Sequence, residues 1–195
     1  MVLLGHNGAG KSTLIKYMLG LYPDIKSHPY LPNLANSSLQ FNKNDIVGFA
    51  PESPALDDGC SAKDYINWLS TLRGANNFDE IANELGFNVD KNMCIGNYSK
   101  GMKQLLSLCL AFFGNTTKII LDEPTSGLDL FVSERVQEFI LQKSKNIDLI
   151  IATHSLHFAF KLNMETWILK QGKILSKKYY NDFEELEKDF WAAKP

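Results

Sequence analysis

Eight residues near the start of the chain, Gly5-His6-Asn7-Gly8-Ala9-Gly10-Lys11-Ser12, carry the types and spacing GxxxxGK[ST]. Such a run is suited to binding phosphate. Glycines let the backbone turn with positive φ and let N–H groups approach oxygens closely. The helix that follows points its positive dipole end at the anion. On this reading Gly5, Asn7, Gly8, Ala9, Gly10 and Thr13 surround the phosphates. Lys11 reaches the β- and γ-phosphates, and the Ser12 hydroxyl ligates Mg²⁺. The implied ligand is a nucleoside triphosphate with its magnesium ion.

A second cluster lies far downstream. Lys118-Ile119-Ile120-Leu121 reads as a buried strand that ends in Asp122-Glu123. An acidic pair at the end of such a strand suits a P-loop ATPase: Asp122 holds Mg²⁺ and Glu123 orients or deprotonates the attacking water. The next apolar run, Leu149 to Ala152, ends in Thr153-His154-Ser155. His154 is placed there to sense the γ-phosphate.

These residues need an open α/β sheet whose strands end in functional loops. The apolar run Met1–Leu4 predicts a strand, and Ser12–Leu19 a helix stopped by Gly20. Residues 21–45 are rich in Pro, Asn and Ser, with a weak strand around Ser38–Phe41 as part of a small antiparallel element. Ile46–Ala50 predicts a buried strand. A helix is expected from Asp64 to Leu72, with Tyr65, Trp68, Leu69 and Leu72 on its apolar face, and a second from Asp79 to Leu85. Ser99 caps a long helix through Phe113. Val132, Val136, Phe139 and Ile140 mark another helix face. Residues 166–169 and 173–175 flank Gly172 as a hairpin, and a helix follows Asp182. The expected organisation is one domain, 1–195. Its α/β core comprises 1–51 and 108–195, and a mostly helical subdomain comprises 52–107.

Bulk properties narrow the class. Apolar content of 45% and charged content of 22% are globular values. A net charge of −2, with the basic residues spread out, argues against a nucleic-acid partner. Cys60, Cys94 and Cys109 have no CxxC spacing and read as buried or incidental thiols in a reducing compartment.

Taken in order, the motifs resemble the ATP-binding cassette family of transporter ATPases. Tyr98-Ser99-Lys100-Gly101-Met102 is similar to the family's signature, Ser126-Gly127-Leu128-Asp129 to its D-loop, and His154 to its switch histidine. Glu52 falls where the family usually has its Q-loop glutamine. The run Ser99–Gln104 is similar to bacterial exporters whose ATPase is a separate subunit.

The resemblance implies a P-loop NTPase (RecA-like) core with a helical subdomain. It implies ATP and Mg²⁺ as ligands, and Glu123 and His154 as catalytic residues. Ser99, Gly101 and Asp129 join the ATP-binding set, and Glu52, through water, joins Ser12 and Asp122 at the metal. It also implies a homodimer or a heterodimer with a second ATPase. A membrane-spanning permease is the implied partner, at the inner face of the cell membrane. The family's N-terminal antiparallel β subdomain, with the aromatic residue that stacks on adenine, is expected to be largely missing. Two alternatives are a soluble ATPase of the same family not engaged in transport and a non-catalytic truncated fragment.

Overall fold

A computed structural model describes residues 1–21 and 45–193. The strand expected around Ser38–Phe41 lies outside the described residues. The elements run β1 (Val2–Leu4), α1 (Lys11–Met18), β2 (Val47–Ala50), α2 (Ala62–Arg73), α3 (Phe78–Leu85), α4 (Lys100–Ala111), β3 (Lys118–Asp122), α5 (Leu130–Lys143), β4 (Asp148–Thr153), α6 (Leu156–Leu162), β5 (Thr166–Lys170), β6 (Lys173–Lys178) and α7 (Phe183–Ala192). The chain divides into two compact units, Met1–Asp45 with Ile150–Pro195, and Ile46–Leu149.

The first unit is built around β1. Its three residues are fully buried, as a strand with neighbours on both edges and cover on both faces requires. β1 pairs in parallel with β4 on one side, Leu3 opposite Ala152, and with β5 on the other, Leu3 opposite Trp167. β5 and β6 form the antiparallel hairpin expected around Gly172, with an irregularity at Ile168/Leu169. Leu14, Ile15 and Met18 supply the buried face of α1.

Helix α7 begins at Asp182, whose carboxylate accepts from the Glu184 N–H, and buries Leu186 and Phe190. Lys178 at the end of β6 donates to Glu185 at 2.6 Å and pairs with Asp189 at 3.0 Å; the Tyr180 hydroxyl donates to Asp189 at 2.9 Å. Helix α6 was not expected from the sequence. It opens when the Ser155 hydroxyl accepts from the Phe158 N–H and closes at Asn163 in the left-handed region.

The second unit pairs β2 with β3 in parallel, Gly48 opposite Ile119, and surrounds them with helices. The apolar positions expected on α3 are all buried: Phe78, Ile81, Ala82 and Leu85. On α5 Val136, Phe139 and Ile140 are buried, and Phe139 meets Phe112 edge-on at 4.8 Å. Cys109 is buried and its thiol is pushed up by desolvation, whereas Cys94 is exposed.

The helix expected over Asp64–Leu72 forms, but with a different inner face. It starts earlier, because Ser61 and Asp64 make a capping box. It buries Ala62 and Ile66, leaving Trp68 at 52% and Leu72 at 79% exposure. Tyr65 and Leu69 of the expected stripe are half-buried, and only Trp68 and Leu72 face out. Arg73 closes this helix. Its guanidinium donates to the Phe113 carbonyl at 2.7 Å, to Thr116 Oγ1 at 3.1 Å and to the Val47 carbonyl at 3.4 Å.

Removing the Arg73 donors strands part-buried carbonyls, so Arg73→Ala is expected to cost about 1–3 kcal/mol of stability. Lysine lacks the planar fork and recovers only part of this. A urea midpoint that shifts at constant slope checks it. In the first unit, Lys178 and the Tyr180 hydroxyl hold the Asp189 carboxyl below the usual carboxylate range. The stability it contributes is therefore full above about pH 4 and is lost as pH falls through its folded value. Asp189→Asn is expected to lower the thermal midpoint at pH 7, with the gap to the unaltered chain closing in acid.

Candidate nucleotide site

The phosphate loop forms because β1 ends abruptly and its chain must turn back into α1. Gly5, the first residue beyond the strand, donates to the Thr153 carbonyl at 3.3 Å, which ties the loop to the end of β4. The Ala9 N–H donates to the His6 carbonyl at 3.0 Å and closes a turn. Gly10, the N-cap of α1, has φ 102, a conformation L side chains rarely adopt. A Cβ there would also sit 3.1 Å from Gly172 Cα. The Gly172 N–H in turn donates to the Ala9 carbonyl at 2.8 Å.

Lys11 is 6% exposed, and its ammonium donates to the carbonyls of Gly5 at 2.7 Å and His6 at 3.4 Å. Asn7 and Gly8 are exposed; Ser12 and Thr13 are half-buried in the first turn of α1. A cavity of about 220 Å³ opens beside the loop between His6, Asn7, Gly8 and Ala9 on one side and Lys170, Gln171 and Ala193 on the other. His154 lies in the same unit, exposed, one residue past β4.

The remaining candidates belong to the second unit. Asp122 ends β3 at 5% exposure and Glu123 follows at 6%. Glu123 has φ 47, in the left-handed region that non-glycine residues seldom occupy. Such backbone strain concentrates at functional sites. Glu52 is exposed shortly after β2.

Ser99 is the N-cap of α4, its hydroxyl accepting from the Met102 N–H at 3.2 Å. Asp129 caps α5, its carboxylate accepting from the Val132 N–H at 3.0 Å. Both helices therefore begin at a residue the motifs single out, and both N-termini keep further N–H groups free of intrahelical partners. Tyr98 is buried at the signature's start, its hydroxyl donating to the Asp90 carbonyl at 3.3 Å, and burial pushes its phenol up.

The structure joins the signature to the D-loop in a way the motifs do not reveal. Buried Gln104 donates to the Pro124 carbonyl at 3.3 Å. Gly127, at φ 74, is crossed by the Lys100 stem; a Cβ on it would lie 2.8 Å from Lys100 Cε. Gly101 faces Leu128, whose Cδ2 would be 3.5 Å from a Cβ there. The sequence signal for this contact is slight: two polar residues, Gln104 and Ser107, inside an otherwise apolar helix face. Gly172 was legible only as a hairpin turn, and its bond to the phosphate loop had no signal.

Comparison with known proteins bears on the family and the fold. The family model described as ABC transporter matches residues 1–126. The ATP-binding cassette sub-family A member 17 of Rattus norvegicus is 30% identical over 181 residues, covering 89% of this chain but 10% of that protein. The chain thus spans about a tenth of the length of that relative. The lantibiotic transport ATP-binding protein SrtF of Streptococcus pyogenes is 30% identical over 194 residues, covering 96% of this chain and 82% of that one. The dimeric structure of a bacterial ABC transporter cassette shares the fold, with a TM-score of 0.73 at 19% identity, over 93% of this chain and 85% of that one. With the family match running from the phosphate loop past the acidic pair, the chain belongs to the ABC transporter family, as an ATP-binding cassette of α/β P-loop fold.

Proposed function

We propose that this cassette is the nucleotide-binding subunit of an exporter, binding and hydrolysing ATP to drive a separate membrane-spanning permease. The observation that carries the reading is the buried Lys11 ammonium, seated on the Gly5 carbonyl inside a loop that opens into α1. When ATP arrives, the β- and γ-phosphate oxygens replace those carbonyls as partners of Lys11. The N–H groups from Gly8 to Thr13 and the positive end of α1 take the remaining charge.

Glu123 is the general base in this reading. It accepts a proton from the attacking water, from a buried position and a backbone conformation that the surrounding chain holds in place. His154, exposed at the end of β4, donates to the γ-phosphate. Ser12 and Asp122 suit Mg²⁺, since both offer hard oxygens and Asp122 is buried at a strand end. Among the described residues no group of three or more His, Cys, Asp or Glu could hold a metal, which fits an ion that shares its coordination with substrate phosphates. Glu52 would accept from a water of that ion. An ion held by Ser12 and Asp122 would supply positive charge to offset that of the phosphates.

Two cassettes, either two copies or this chain with a different ATPase, pair head to tail. The exposed Ser99 and Asp129, with the half-buried Gly101, then meet nucleotide held by the partner's P-loop, with the start of α4 turned to its phosphate. That a bacterial cassette of the same fold has been solved as a dimer supports pairing. Trp68 and Leu72 on α2, with Tyr65 edge-on to Trp68 at 5.2 Å, give the helical subdomain an exposed apolar face for the permease. No helix among the described residues is long and apolar enough to cross a membrane. The cassette would work peripherally, at the inner membrane face, and the lantibiotic transport relative supports a role in transport.

Lys11→Ala is expected to bring hydrolysis to background, because the buried charge and the phosphate partner go together; undiminished turnover overturns the P-loop assignment. Glu123→Gln is expected to keep ATP binding while turnover falls by about 10²–10⁴-fold, the usual contribution of a positioned base. Light scattering on Glu123→Gln should show a monomer alone and a dimer with Mg-ATP. A mass unchanged by nucleotide rules out self-pairing.

A further inference from the structure

Helix α7 carries an aromatic contact at each end, and each contact is made with a histidine. At its C-terminal end Phe190, 3% exposed, packs on the His6 ring with centroids 4.2 Å apart, and Trp191 lies 5.8 Å from the same ring. His6 is the first variable position of the phosphate loop, and its carbonyl accepts from both Lys11 and Ala9. At its N-terminal end Phe183 stacks on His157 at 4.7 Å and 16°, with Phe160 edge-on at 5.5 Å. His157 lies three residues past His154, in the first turn of α6. Both stacks, both loops and α7 itself fall in one unit.

Between its ends α7 is held firmly. Leu186 is fully buried, and the Lys178 and Tyr180 network grips Glu185 and Asp189. Phe183 and Phe190 are seven residues apart, a rise of about 10 Å along a rigid helix. The helix therefore fixes the spacing between the two contacts.

We infer that α7 is a strut linking the phosphate loop to the loop that carries His154, with Phe190 and Phe183 as its positioning residues. The inference rests on the reading of the P-loop and His154 given above as two parts of one nucleotide cycle. His6 and His157 are the rings through which the strut acts.

Amide hydrogen exchange on the nucleotide-free chain tests the strut. Phe183→Ala removes the stack on α6 only. The strut predicts faster exchange at the hydrogen-bonded amides of Ala9 and Leu14, which close the phosphate loop onto His6 and Gly10, by about three- to tenfold, the size expected for one aromatic pair. Phe190→Ala should speed exchange at the bonded amides of Ser155 and Phe158 in the same way. Phe183→Tyr keeps the ring and should restore the unaltered rate at Ala9 and Leu14. Where Phe183→Ala does not fold, Phe183→Leu removes the ring while keeping apolar bulk, with the same expected pattern. Lys145→Ala, exposed in the other unit, should leave all four amides unchanged. Exchange that rises only around residues 157–160 and 183, with Ala9 and Leu14 at the rate of the unaltered chain, overturns the proposal. Because no nucleotide is present, this outcome is separate from any failure of the chain to hydrolyse ATP, which Lys11→Ala reports.

Discussion

A buried ammonium must have acceptors, and Lys11 takes its own from the loop it belongs to. Much of the first unit follows from that demand. For the carbonyls of Gly5 and His6 to point at Nζ, the chain between them and α1 has to curl tightly. The curl forces Gly10 to φ 102 and brings it against Gly172. The hairpin of β5 and β6 must then sit beside β1, and the register Leu3 opposite Trp167 puts it there. The loop thus already curls around a cation through the Gly5 and His6 carbonyls. Preorganisation of this kind lowers the ordering cost of binding.

The second unit solves a different problem. β3 brings Asp122 and Glu123 to a buried strand end, where carboxylates are costly to desolvate. The chain leaves that end through a left-handed residue, Glu123, and is then held by Gln104 on the Pro124 carbonyl and by Lys100 across Gly127. These bonds come from α4, the helix Ser99 caps. The acidic turn and the signature therefore share one rigid support, and a shift of either is felt by the other. Arg73 fixes the far end of the same helix layer through the Phe113 and Val47 carbonyls.

Helices α6 and α7 repeat the theme in the first unit. Neither supplies a residue of the motifs, yet α6 begins directly behind His154 and α7 packs on His6. The side chains that decide their placement are Phe158, Leu186 and Phe190, all buried, with the charged network of Lys178 on the outer side. Polar bonds on that exposed side are individually weak, so apolar burial carries most of the fastening, at about 1.5–3 kcal/mol for each large side chain.

The sequence by itself determined the elements whose reasons are local. A glycine-rich turn before a lysine, a Ser99 or Asp129 cap, the alternation that buries Phe78, Ile81 and Leu85, and a run of Ile119 to Leu121 ending in acids are all written within a dozen residues. Family membership was legible for the same reason, since the motifs are short and their order is linear. What the tertiary structure alone decided depends on partners distant in the chain. The face that α2 buries was set by the neighbours available to Ala62 and Ile66, not by the stronger apolar stripe of Trp68 and Leu72. Helix α6, short and with little periodicity, forms because Phe158, Ala159 and Leu162 find a core to enter. The left-handed turn at Glu123, the crossing of Gly127 by Lys100, the bond from Gly172 to the phosphate loop and the stacking of His6 on Phe190 leave no local trace. Each is a contact between segments that only packing brings together, and packing is a property of the whole core rather than of any window of sequence.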